Sequence, residues 1–123
     1  MALRILLFVN AFATLAAGLA LFVSPGFLGA AVDIEIASDA YFVYYLLGAA
    51  ELGIAALCFQ ALRLTDAAAL RLVCWTMIVF HAASGFAGVY AYASGLSPAV
   101  SANVALRALM IGLFAWIGLR RTA

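Results

Sequence analysis

Along this chain the polar positions gather into a few short clusters, and long apolar runs lie between them. No Asp, Glu, Lys or Arg occurs in residues 5–32, only Glu51 occurs in 40–62, and none occurs in 72–106 or 108–119. A helix that crosses a bilayer needs about 20 mostly apolar residues, and each run has room for one. The pattern predicts four transmembrane helices at about residues 3–23, 40–62, 70–94 and 99–119. The expected fold class is all-α, an integral membrane four-helix transmembrane bundle, with residues 1–123 as a single four-span domain.

The breaks between runs carry their own chemistry. Pro25 cannot continue the first helix, and Gly26 permits a turn after it. RLTDAA offers Thr65 or Asp66 as the N-cap of the third span. SGLSP ends that span at Gly95 and starts the fourth at Ser97–Pro98, a cap followed by a first-turn proline. The first run, with Arg4 at its start, has the look of a secretion signal. Its apolar length exceeds the usual 7–15-residue signal core, so it reads as a retained first helix. Residues 24–39 form the long connection, and FLGAAVDIEIA suggests a short helix on the outer surface. That segment either caps an outward-facing cavity or, more plainly, connects two spans.

Charge placement orients the bundle. Arg4, Arg63, Arg71, Arg120 and Arg121 flank the N-terminus, the second connection and the C-terminus, which share one side in a four-span chain. Asp33, Glu35 and Asp39 mark the other side. The positive-inside rule puts both termini in the cytoplasm. Tyr41, Tyr44, Tyr45, Tyr90 and Tyr92 gather toward the outer interface, and Trp75 and Trp116 toward the inner one, as anchoring belts do.

Composition then narrows the function classes. The chain is 70% hydrophobic and 9% charged with a net charge of +1, so it has no basic face for nucleic acid. Cys58 and Cys74 make neither a disulfide framework nor a zinc set, and they read as buried small hydrophobes. One histidine cannot supply two axial haem ligands. No nucleotide loop, HExxH or nucleophile elbow appears, so no catalytic or metal-ligating residues are assigned.

What remains is a set of polar residues inside the apolar runs. Counting about 1.5 Å per residue from the flanking arginines puts Glu51 roughly 18 Å deep, His81 roughly 15 Å, Arg107 roughly 20 Å and Thr14 roughly 15 Å. All four fall in one layer near the middle of a core about 30 Å thick, one from each span. A central charge costs about 2.5–3.5 kcal/mol on insertion scales, so these groups are expected to face the bundle interior. There Glu51 pairs with Arg107 or His81. Helical spacing puts Tyr44, Gly48 and Glu51 on one stripe, and Asn103 and Arg107 on another. Tyr44 and Asn103 are thus candidates for the outer half of a pocket. The candidate ligand-binding residues are Glu51, His81, Arg107, Thr14, Tyr44 and Asn103. The pairs Thr14/Gly18, Ser84/Gly88 and Ala108/Gly112 allow close helix contact, within one chain or across a homodimer seam.

Gly48, Glu51 and Leu52, a Gly-x-x-Glu-Leu sequence running into small and aliphatic residues, make the chain resemble the DoxX-like group of small four-span bacterial membrane proteins. The resemblance implies a four-helix bundle in a bacterial inner membrane. In some members it implies association with a quinone-linked oxidoreductase, and in many no established activity. The expected function is to bind an apolar molecule with a polar head, a quinone or lipid, at the midplane layer, or to serve as an accessory subunit of a larger membrane complex. Two alternatives stand beside it. AELGIAAL also resembles the membrane-embedded Glu segment of the small multidrug resistance family, which implies a proton-coupled transporter, although that family carries its Glu on the first helix. Alternatively Glu51–Arg107 is interhelical glue in a purely structural bundle. A redox enzyme of the vitamin K epoxide reductase kind needs a Cys-x-x-Cys that is absent.

Overall fold

The computed structural model describes residues 1–120, so Arg121, one of the flanking arginines, lies outside the described residues. Helix α1 spans Ala2–Val23, the short α2 spans Pro25–Ala30, and α3 spans Tyr41–Ala61 after a 3-10 turn at Ser38–Ala40. Helix α4 spans Ala67–Ala93, and α5 spans Val100–Leu113 and runs on as a π-helical turn over Phe114–Leu119. No strand occurs among the described residues. Four helical segments, Ala2–Val23, Ser38–Ala61, Ala67–Ala93 and Val100–Leu119, are long and apolar enough to cross a bilayer. The fold is an all-α four-helix bundle.

Local chemistry sets the boundaries. The third span starts earlier than residue 70 because Asp66 is its cap: its Oδ2 accepts from the Ala69 N–H at 2.6 Å. Just past its C-cap Ser94 the helix is stopped by Gly95, whose φ of +83° is open to glycine at little cost. Leu96 N–H then reaches Ala91 O, and Gly95 N–H reaches Tyr92 O, which makes a Schellman cap. The fourth span begins slightly later than expected. Ser97 Oγ accepts from Ala99 N–H and Val100 N–H from Ser97 O closes a turn, after which regular helix starts at Val100.

The four spans associate as two close pairs. Helices α1 and α3 meet where Gly18 faces Gly48: a Cβ at Gly48 would stand 3.1 Å from the Gly18 carbonyl oxygen, and one at Gly18 2.9 Å from Leu52. Helix α4 lies on α5, and a Cβ at Gly88 would come 2.7 Å from the Val104 side chain. The pairs join at the end that carries Arg4, Arg63 and Arg120. There Leu7, Ala11, Cys58, Cys74, Met77 and Phe114 form a closed core. The π turn serves this junction. It leaves both Phe114 and Gly118 facing inward, and a Cβ at Gly118 would meet Cys74 Sγ at 2.5 Å. Away from that end α1 and α5 barely touch, and the interior opens. The outward faces are apolar, with Phe42, Leu72, Val79, Phe86 and Leu109 exposed, as a lipid-facing surface requires. Trp116 sits exposed at the arginine end under the Arg120 guanidinium, 3.6 Å above its ring.

Candidate functional site

The polar side chains of all four spans converge on one place. Arg107 is the centre: its Nη2 lies 3.7 Å from Glu51 Oε1, and its Nη1 donates to His81 Nδ1 at 3.1 Å. Glu51 therefore pairs with Arg107, and Arg107 stands between it and His81. Gly85, facing the Arg107 Cβ, lets α5 approach α4 closely enough for this contact.

The hydrogen bonds fix the histidine tautomer. A guanidinium only donates, so Nδ1 must accept, and the ring is neutral with its proton on Nε2. That N–H donates to Asn10 Oδ1 at 2.9 Å. Asn10 in turn directs its amide Nδ2 at Cys58 Sγ, 3.3 Å away, and Met77 Sδ, 3.5 Å away. Thr14 turns its hydroxyl hydrogen back to Asn10 O at 2.9 Å, within its own helix. His81 stacks on Phe114, and Arg107 lies over the Phe80 ring with its Cζ 5.3 Å from the centroid. The layer thus rests on Phe114 and the sulfur-lined core of the arginine end, with Phe80 beside Arg107.

Above this floor lies a cavity of about 530 Å³. Its polar lining includes Asn10, Thr14, Glu51, His81, Arg107 and Asn103, and its apolar lining includes Leu21, Leu47, Leu106 and Met110. Leu28 from α2 also contributes to the wall, so the long connection does more than join two spans. The Glu51 side chain is 7% exposed and that of Arg107 17%. Glu51 Oε2 and Arg107 Nε are buried without a hydrogen-bond partner.

Five of the six candidate residues line this cavity: Glu51, His81, Arg107, Thr14 and Asn103. Tyr44 does not line it. One turn on from Tyr44, Gly48 is packed against Leu21 and Phe22 of α1, and at that level the cavity takes Leu47 on the neighbouring edge of the helix. Asn10, the acceptor for His81, was visible in the sequence as an isolated amide one helical turn before Thr14, and its role depended on which helix faced it. Cys58 and Cys74 are both free and buried. Among the described residues no group of three His, Cys, Asp or Glu side chains converges as metal ligands would. No family model, curated protein or solved structure matches this chain, so the site is interpreted from its own geometry.

Proposed function

We propose that this protein is a DoxX-like four-span bundle of a bacterial inner membrane, with both ends in the cytoplasm. In this reading it holds an apolar molecule with a polar head, of the quinone or lipid class, alone or as an accessory subunit of a larger membrane complex. Glu51 and Arg107 contact the head, while Leu21, Leu47 and Leu106 hold the apolar part. One observation carries this reading: Glu51 lines a cavity deep in the bundle and keeps a buried carboxylate oxygen without a partner. A layer serving only as glue gains nothing from the space, because a void forfeits contact energy on every wall. The cavity volume also falls within the 300–1,000 Å³ range of small-molecule sites.

The transporter reading is weaker on two counts. The Arg107 guanidinium already neutralises Glu51, which leaves no net charge to attract a cation. The arginine end is closed by the core around Phe114 and Met77, both fully buried.

The test is native mass spectrometry of protein taken from its own membranes in mild detergent. Wild type is expected to carry an apolar adduct, and a Glu51→Gln variant of unchanged thermal stability is expected to lose it. An empty wild type, or equal occupancy in both, would overturn the proposal.

A further inference from the structure

We infer that the cavity selects a neutral amphiphile whose head bears a hydroxyl, and that this molecule reaches the cavity sideways from the bilayer, between α1 and α5. The inference rests on the cavity being a ligand site and narrows the class it accepts.

The head chemistry follows from which hydrogens are already committed. The Thr14 hydroxyl hydrogen is given to its own helix, leaving the oxygen as an acceptor. The Asn10 amide faces two sulfurs and its oxygen serves His81, whose other nitrogen serves Arg107. The groups left over include an acceptor on Glu51, Oε2, a donor on Arg107, Nε, and the Asn103 amide on the cavity wall, which offers one of each kind. A head that satisfies both kinds must give one hydrogen and accept another. A hydroxyl does both through one oxygen, whereas a ketone or ether only accepts. An ammonium only gives, and it adds a charge to a layer that Glu51 and Arg107 already balance around a neutral His81. A phospholipid headgroup would have to leave the interface for the bilayer centre, where charge is costly.

The route follows from the walls. Val9 and Leu106 line the cavity on α1 and α5, yet they are 53% and 54% exposed. Ala13, between them in depth, is exposed as well. Helices α1 and α5 make few close approaches, so the proposed route runs between these exposed side chains. A ligand dissolved in the bilayer meets this gap directly and need not cross the Arg107 layer or the closed arginine end.

The experiment compares para-octylphenol, its O-methyl ether and octylammonium, bound to the intact protein in nanodiscs and read by thermal shift and by native mass spectrometry. The phenol is expected to bind about ten- to a hundredfold more tightly than the ether, the range for hydrogen bonds to charged groups. Glu51→Gln is expected to collapse that ratio toward one. If that variant does not fold, Thr14→Val provides the second reading, with an expected two- to tenfold fall in the ratio, roughly the value of one neutral hydrogen bond. Ala13→Trp, at the gap, is expected to slow phenol uptake from the bilayer at least tenfold. Equal binding of phenol and ether, or tighter binding of the ammonium, overturns the head assignment while leaving a ligand site in place. Unchanged uptake by Ala13→Trp overturns the lateral route. Binding of none of the three overturns the ligand-site reading itself.

Discussion

Arg107 makes two contacts at once. It neutralises Glu51 and supplies the hydrogen that His81 Nδ1 accepts. Arg107→Met is expected to cost about 3–5 kcal/mol, the penalty for leaving one member of a buried pair alone. The low end is appropriate here because the guanidinium is partly exposed and the ion pair is long. Glu51→Gln in the same chain removes the stranded carboxylate, so the double variant is expected to recover part of the loss. It does not recover all of it, because His81 Nδ1 still lacks a donor. Unfolding of the two single variants and the double in detergent, arranged as a thermodynamic cycle, checks this. Strict additivity would mean that the two side chains do not interact. Depth counting in the sequence brought Glu51, His81, Arg107 and Thr14 to one level. It did not give the order Glu51–Arg107–His81–Asn10, because depth leaves rotation about each helix axis undefined.

At the scale of elements, glycine does different things at different positions. Gly48 sets the distance between α1 and α3, and Gly48→Val would push its side chain against the Gly18 carbonyl and Leu21. A loss of about 1–3 kcal/mol is expected, the usual cost of overpacking a close contact. Gly112 has no neighbour within 4 Å of a built Cβ, so Gly112→Ala should be neutral or slightly stabilising. Thermal melts of both variants in one detergent make the comparison, and a destabilising Gly112→Ala would place an unrecognised partner on that face. Of the three small-residue pairs in the sequence, Gly18 and Gly88 lie in helix contacts within the chain, and Gly112 does not. Spacing alone reads the three alike. Helix ends were more legible, since Asp66 and Gly95 act through neighbours a few residues away.

Across the whole molecule, the described flanking arginines Arg4, Arg63, Arg71 and Arg120 belong to the end where Leu3 approaches Gly118 and the core is closed. The cavity lies toward the acidic connection. With the proposed orientation, green fluorescent protein fused to the C-terminus should fluoresce and alkaline phosphatase fused there should be inactive. The opposite pair of results would invert the bundle and open the cavity toward the cytoplasmic half. The number of spans, their approximate limits and the level of the polar layer were determined by the sequence. These are one-dimensional quantities: an apolar run has a length, and a helix converts residue count into depth. The pairing of α1 with α3 and α4 with α5, the placement of Tyr44 away from the cavity and the bridge through Arg107 were decided only by tertiary structure. Each depends on how helices turn and approach one another, and in a chain apolar on nearly every face the hydrophobic pattern does not mark which face turns inward. Small residues and a few buried hydrogen bonds make that choice, and they do so only between helices distant in sequence.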